Sequence, residues 1–185
     1  MRHIENWDDI QEMQSGDFNT PVPGGYIAMI LRVEDKEDKE YLAIEWDFVS
    51  GEYQGANQET FDRAGFWPTT LRRSYKDSAL GFFKAFKTAV EASNRGYTFS
   101  SREVQGLVGK RMGVVLGEEE YRKNNGEIGQ RLYVYQVRSV KAIQEGDFKV
   151  PDLKKLSGQQ NTPDRRSAHN VPFSDIGDDD GNVPF

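Results

Sequence analysis

Two runs of alternating apolar residues, separated by a charged segment, constrain the fold of this chain most strongly. In residues 26–33 and 41–49 an apolar side chain recurs at every second position, which is the period of a half-buried β-strand. The intervening residues 34–40 are all charged, as in a solvated hairpin loop. The pattern therefore predicts two antiparallel strands.

The alternation also assigns side chains to the faces of these strands. On the first strand, one face is expected to hold Ile27, Met29, Leu31 and Val33. On the second strand, one face is expected to hold Leu42, Ile44, Trp46 and Phe48. Glu45 and Asp47 would then point outward, and their negative charges would repel any ligand that brought phosphate groups to that face.

The remaining patterns predict three more strands and two helices. A third strand is expected near residues 58–63, and a helix should follow from a capping box at Ser74 and Asp77 to about Ser93. A fourth strand (residues 110–117) and a fifth (residues 131–142) flank the turn signal Asn124-Asn125-Gly126. Residues 4–14, with Ile4, Trp7, Ile10 and Met13 three apart, predict a short amphipathic helix.

This order of elements predicts a mainly β domain, the five-stranded barrel known as the OB-fold, with a helix between strands 3 and 4. Such barrels bind oligonucleotides and oligosaccharides through strands 2 and 3 and through the 1-2 and 4-5 loops. We expect residues 1–20 to be an N-terminal extension, residues 21–156 to be the barrel, and residues 157–185 to be a flexible acidic tail.

Composition excludes several classes of protein. The chain has no Cys, which removes disulfides, thiolate metal sites and a Cys nucleophile. No apolar run approaches the roughly 20 residues of a membrane-spanning helix, and the first residues lack the apolar stretch of a signal peptide. We therefore expect a soluble, cytoplasmic protein without a membrane partner, a cofactor or a metal site.

The net charge of -6 is unusual for a nucleic-acid binder, but the charge is unevenly distributed. Residues 21–150 hold 19 acids and 19 bases, and the acidic excess lies outside them. Because salt screens charges beyond about 10 Å, locally clustered bases can still follow a phosphate backbone.

Residues 170–185 contain the tetrapeptide Asn-Val-Pro-Phe twice, with an acidic run between the copies. Proline, glycine and adjacent aspartates oppose regular structure, so we expect a mobile tail. This end resembles the acidic tip of bacterial and phage single-stranded DNA-binding proteins, which recruits replication and repair partners. The residues that match that tip are Asp178, Asp179, Asp180, Pro184 and Phe185.

The body of the chain also resembles the single-stranded DNA-binding proteins of phages that infect Gram-positive bacteria. The similar strings lie at residues 21–26, 66–67, 73–76, 116–122 and 146–151. The resemblance implies a binder that coats exposed strands during replication or recombination in the host cytoplasm, without sequence preference. Its expected partners are single-stranded DNA and, through the tail, replication or recombination proteins, and a homo-oligomer is compatible with the sequence.

Two stretches place aromatic rings beside cations, the pair of groups that hold single strands by stacking and by phosphate contact. The first is residues 61–76, and the second is the predicted hairpin of strands 4 and 5. In the hairpin, Arg131, Tyr133 and Tyr135 share one face while Leu132 and Val134 face the barrel. The candidate residues are Trp67, Arg72, Arg73, Tyr75, Lys76, Lys110, Arg111, Tyr121, Arg122, Lys123, Arg131, Tyr133 and Tyr135.

Other interpretations remain open. The aromatic residues can instead belong to the core, most readily Phe61, and the tyrosines can close the barrel with their hydroxyls at its rim. A metal-dependent nuclease would have to use Glu45, Asp47 and residues 118–120, but adjacent glutamates on a hairpin usually face water. A non-DNA adaptor or acidic DNA mimic is the second alternative. We expect a protein that is not an enzyme.

Overall fold

Five strands form one antiparallel sheet in residues 20–156, the part of the chain that the computed structural model describes. The strands are β1 (Gly24–Lys36), β2 (Tyr41–Phe48), β3 (Thr70–Ser74), β4 (Arg111–Arg122) and β5 (Ile128–Arg138). The helices are α1 (Ala56–Ala64), α2 (Leu80–Ser93) and α3 (Val140–Gln144). No helix within residues 20–156 is long and apolar enough to cross a bilayer. The predicted helix at residues 4–14 and the predicted tail lie outside the described residues.

The sheet has the order β3-β2-β1-β4-β5, with α2 between β3 and β4 in the chain. The prediction of a mainly β domain with five strands and a helix between the third and fourth is therefore confirmed. The predicted closure is absent, because β3 and β5 are the edges of the sheet and do not pair within residues 20–156. α2 packs against β3, β4 and β5, and its side chains occupy the open side instead.

The core lies on one side of the sheet, called here the core face. The face predicted for β2 is confirmed, because Leu42, Ile44, Trp46 and Phe48 are all buried there. On β1 the predicted grouping was wrong, because Val33 shares the core face with Ala28 and Ile30 and not the face of Ile27 and Met29. A register shift between Ile30 and Arg32 inserts Leu31 as an extra residue, after which Val33 also faces the core.

Residues 58–63 lie in α1, so the predicted third strand was wrong, and the third strand is β3. Gly55 and Gly65 bound the helix with φ of 79° and 75°, the left-handed region that glycine enters without steric cost. The amides of Asn57 and Gln58 donate to the Asp47 carboxylate at 3.1 and 2.9 Å. A side chain from β2 therefore caps the first turn of α1.

This cap changes the expected role of Asp47, although its side chain lies on the predicted outward face of β2. Its side chain accepts from three backbone amides, including that of Phe48 at 2.8 Å, and only 5% of the residue is exposed. Asn57, also buried, donates to the Trp46 carbonyl at 2.9 Å. Asp47 therefore anchors α1 on β2 rather than projecting a free negative charge outward.

The predicted capping box at Ser74 and Asp77 was also wrong. Ser74 is the last residue of β3 and pairs with Tyr41, and its hydroxyl donates to the Glu40 carbonyl at 3.2 Å. Asp77 lies in a short 3₁₀ turn that precedes α2, which begins at Leu80 without a side-chain cap. Ser74 therefore pairs in the sheet and does not cap α2.

β5 ends at Arg138, four residues before the predicted end, because Ser139 caps α3 by accepting from the Ala142 amide at 3.1 Å. Residues 139–156, called here the C-terminal strap, then cross the face of the sheet opposite the core, the outer face. Glycines create the space for this crossing. A Cβ at Gly25, Gly113 or Gly117 would collide with the Phe148, Ile143 or Pro151 side chain of the strap, respectively.

Candidate nucleic-acid interface

β4 and β5 form a long hairpin whose end reaches beyond β1. Its turn contains Asn124, Asn125 and Gly126, as predicted, and Gly126 adopts a φ of 86° that favours glycine. The Lys123 amide closes the turn by donating to the Glu127 carbonyl at 2.8 Å. β1 pairs with β4 only as far as Leu116, and beyond it the backbone of Lys154 pairs with β4 at Glu118 and Glu120.

The outer face of this hairpin combines aromatic rings with a cation. In the register, Arg131 lies opposite Glu119, and Tyr133 lies opposite Gly117. Leu132 and Val134 pack against the core from the other side, as predicted. The set of outward residues, called here the hairpin face, consists of Tyr121, Arg131, Tyr133 and Tyr135.

The rings and the cation of the hairpin face contact one another. The Arg131 guanidinium lies 5.4 Å from the centroid of the Tyr121 ring, within the range of a cation–π interaction. The rings of Tyr133 and Tyr135 meet edge to face with centroids 6.4 Å apart, and 40% of Tyr135 is exposed. This arrangement presents π-surfaces and a guanidinium to solvent from one strand pair.

Glu119 sets the electrostatics of the hairpin face. Its carboxylate accepts from Arg131 Nε at 2.8 Å and from Lys154 Nζ of the C-terminal strap at 3.2 Å. Both cations remain more than half exposed, whereas the Glu119 side chain is 15% exposed. Desolvation raises the pKa of the Tyr133 hydroxyl, and the Glu119 charge adds to this shift. Tyr133 is therefore neutral at physiological pH and adds no negative charge.

The structure separates the two predicted cations at the hairpin tip. Lys123 and Tyr121 lie over Gly129, where an added Cβ would come within 2.9 Å of both side chains. Arg122 pairs with Ile128, and strand alternation places these two on the opposite face from Tyr121. Lys123 therefore extends the hairpin face, whereas Arg122 does not.

Arg72 and Arg73 point to opposite faces, because both lie in β3. Arg72 pairs with Ala43 on the outer face, and its guanidinium lies 5.7 Å from the centroid of the Tyr41 ring. Arg73 pairs with Leu42 on the core face and donates from Nη1 to the Arg72 carbonyl at 3.1 Å. Only Arg72 thus belongs to the outer surface of β2 and β3.

Tyr75 packs against the core and does not share the outer face with Arg72. Its hydroxyl donates to Asp35 Oδ1 at 2.8 Å, and its ring meets Phe83 edge to face at 6.4 Å. Desolvation raises the pKa of Tyr75 to about 12, and the hydrogen bond to Asp35 adds to the shift. The ring therefore closes one end of the core. The adjacent Lys76 is exposed.

Lys110 and Arg111 lie where β4 begins. The Lys110 ammonium sits 4.8 Å from the centroid of the Tyr97 ring, which packs against the core. Arg111 pairs with Met29 and is exposed, while its backbone N–H and C=O both bond to the Asn94 side chain, at 2.9 and 2.8 Å. Lys110 and Arg111 therefore contact Tyr97 and Asn94, and neither contacts a residue of the hairpin face among the interactions described.

Trp67 is half-buried and lies outside the buried core cluster. It contacts Phe61 of α1, with ring centroids 5.6 Å apart and an interplanar angle of 50°. The neighbouring Phe66 is 54% exposed. The interpretation of Phe61 as a core residue is therefore wrong, because α1 carries its ring on the outer side of β2.

Arg32 and Tyr41 also lie on this outer surface, although neither belongs to the two stretches in which the sequence places rings beside cations. Arg32 pairs with Glu45, and Tyr41 lies under Arg72. The alternation of the second predicted strand places Tyr41 on the same outward face as Glu45, whereas Arg32 turns outward only because of the bulge at Leu31. Their partners, however, come from other strands, so they can be found only once the register is known.

Comparison with known proteins adds no assignment: no family model and no curated protein matches this chain. Within residues 20–156, no group of three acidic or histidine side chains is placed to share a metal ion. The chemistry of the described surfaces is therefore the basis for interpreting function.

Proposed function

We propose that this protein binds single-stranded DNA without sequence preference, through a domain of the OB type, and coats exposed strands during phage replication or recombination. The setting that fits this role is the cytoplasm of the host cell. The protein acts by binding and not as an enzyme.

The hairpin face is the observation that carries the proposal. Bases stack on aromatic rings with roughly 1–3 kcal/mol per base whatever their identity, and cations follow the phosphates. Tyr121, Tyr133 and Tyr135 supply the rings, and Arg131 and Lys123 supply the cations, all on the strand pair of β4 and β5. Because no hydrogen-bonding pocket for a base edge is needed, this surface fits a sequence-tolerant ligand.

The strand order supports the OB type. β1 pairs with both β2 and β4, a helix separates β3 from β4, and β4 and β5 form a hairpin. In that fold the 4-5 loop is one of the elements that contact oligonucleotides. The hairpin face lies on the two strands that this loop joins, and Arg72 with Tyr41 lies on the surface of β2 and β3 that the same fold uses.

Four of the five acids that a nuclease would need are engaged by other residues of the chain. Asp47 caps α1, Glu45 pairs with Arg32 at 3.2 Å, and Glu119 pairs with Arg131 and Lys154. Glu120 accepts from the Leu156 amide at 3.1 Å. These four carboxylates lie on two faces of the sheet and each has partners of its own, which favours binding over metal-assisted hydrolysis.

We further propose that the acidic tail, residues 157–185, recruits replication or recombination proteins. Asp178, Asp179 and Asp180 supply a negative field, and Pro184 and Phe185 supply an apolar anchor for a basic pocket. Deletion of residues 174–185 is expected to leave oligonucleotide affinity unchanged or slightly higher, and to abolish capture of partners from an extract of infected cells. A large loss of oligonucleotide affinity would contradict this division of roles.

Removal of the hairpin face should weaken binding to every sequence alike. We expect the Arg131→Ala, Tyr135→Ala double variant to bind labelled oligothymidylate roughly 10- to 100-fold more weakly than the unchanged protein. Ile128→Ala is the matched control, because Ile128 is 59% exposed on the same hairpin but on its opposite face. Equal affinities of the double variant and the control, measured by fluorescence anisotropy, would remove the hairpin face as the site.

A further inference from the structure

A second group of aromatic and charged side chains lies on the outer side of β1 and β2, away from the hairpin. It comprises Arg32, Glu45, Phe61 and Trp67, and is called here the α1 cluster. α1 supplies Phe61, the loop after it supplies Trp67, and the paired strands supply Arg32 and Glu45. Asp47 and Asn57 fix the first turn of α1 on β2, so the Phe61 ring has a defined position over the strands.

Arg32 holds the centre of this cluster. Its guanidinium lies 5.9 Å from the centroid of the Phe61 ring and 3.2 Å from the Glu45 carboxylate. The Arg32 side chain is 63% exposed, whereas that of Glu45 is 23% exposed. A new anion can therefore approach Arg32 from solvent while Glu45 remains behind it.

Neither ring of the cluster is committed to the core. Phe61 and Trp67 contact each other 5.6 Å apart, and both lie outside the buried core cluster. A pair of half-exposed rings beside an exposed guanidinium matches one nucleotide, whose flat base stacks and whose phosphate accepts from arginine. The same Glu–Arg–aromatic arrangement recurs on the hairpin face, as Glu119, Arg131 and Tyr121.

We propose that the α1 cluster is a second contact site for a single-stranded polynucleotide, where a base stacks on Phe61 and Trp67 and Arg32 exchanges Glu45 for a backbone phosphate. Glu45 is thus a built-in competitor of the phosphate, and it limits affinity at this site. The inference rests on the proposed function, since it assigns that ligand a further place on the outer surface.

Two substitutions with opposite expected signs test the site in the full chain. Glu45→Gln should tighten binding of labelled oligothymidylate by roughly 2- to 5-fold, because the phosphate no longer competes with a carboxylate. Phe61→Ala should weaken binding by roughly 5- to 50-fold through lost stacking. Glu145→Gln is the control for net charge, since Glu145 pairs with Lys141 at α3, outside both surfaces, and should leave affinity unchanged.

The fluorescence of Trp67 provides a second readout. Oligothymidylate should quench tryptophan emission of the unchanged protein, and the quenching should fall in a Trp67→Phe variant, because the other described tryptophan, Trp46, is fully buried. If the unchanged protein binds oligothymidylate but Glu45→Gln has the same affinity as Glu145→Gln, or a weaker one, the α1 cluster is not a binding site. The proposed function would then still stand. If the unchanged protein does not bind at all, both fall together.

Discussion

Asp47→Ala is expected to lower the free energy of unfolding by about 3 to 4 kcal/mol, because it leaves three backbone amides without their acceptor. The lost bonds are those from Phe48, Asn57 and Gln58, at 2.8 to 3.1 Å, around a residue that is 5% exposed. The loss should also release α1 from β2 and thereby displace the Phe61 ring. Urea denaturation monitored by circular dichroism measures the change.

Asp62→Ala is the matched control for this prediction. Asp62 is an exposed acid of the same helix, and its carboxylate accepts only from the Gln58 side chain at 2.8 Å among the bonds described. Its removal should change stability by no more than about 0.5 kcal/mol. Equal effects of the two substitutions would show that Asp47 acts as a surface charge and not as the cap of α1.

Gly113→Ala is expected to destabilise the protein by about 2 to 4 kcal/mol, since the added Cβ has no space under the C-terminal strap. It would collide with the Ile143 side chain and would lie 2.9 Å from the Ser139 carbonyl oxygen and 3.0 Å from that of Arg138. The backbone at these contacts belongs to the end of β5 and the cap of α3, so it cannot move independently. Thermal or urea unfolding measures the loss.

The opposite sign is expected for Gly81→Ala, which is the control. A Cβ at Gly81 meets nothing within 4 Å, and the residue lies in the first turn of α2. Alanine there should raise stability by up to about 1 kcal/mol, because it lowers the entropy of the unfolded chain and favours the helix. Similar destabilisation by both substitutions would contradict the role of Gly113 as a crossing point for the strap.

The sequence predicted those elements whose own residues contain a complete pattern of alternation or of turn residues. β2 could be predicted because its alternation is uninterrupted, and the hairpin because Asn124, Asn125 and Gly126 mark its turn. β3 could not be predicted in the same way, since Leu71 is its only buried apolar residue. The bulge at Leu31 is also invisible in the alternation, although it decides which residues of β1 face the core.

The errors at α1 and the strap come from contacts between distant residues. The first amides of α1 donate to Asp47, which lies ten residues before Asn57. The sequence next to the helix therefore contains no capping residue that would predict its start. The strap depends on glycines in β1 and β4 that leave space for Phe148, Ile143 and Pro151. Such clearances arise only after the sheet has formed, and composition does not show them.

The candidate interface was predictable only in part for the same reason. Strand alternation placed Arg131, Tyr133 and Tyr135 together from one strand, and the structure retains that grouping. Arg72 and Arg73 are adjacent in the sequence and were predicted as one site, but strand alternation in β3 places them on opposite faces. Arg32 required the register between β1 and β2, which the bulge shifts.

The most direct test is an equilibrium titration of labelled oligothymidylate with the full chain in dilute buffer, repeated at higher salt and with Mg²⁺. We predict saturable binding that weakens as salt rises, because the protein releases counterions from the phosphates, and an oligonucleotide that stays intact. Cleavage that depends on Mg²⁺ would identify a nuclease instead. Absence of binding in dilute buffer, by both the full chain and a chain lacking residues 174–185, would contradict a role in holding single strands.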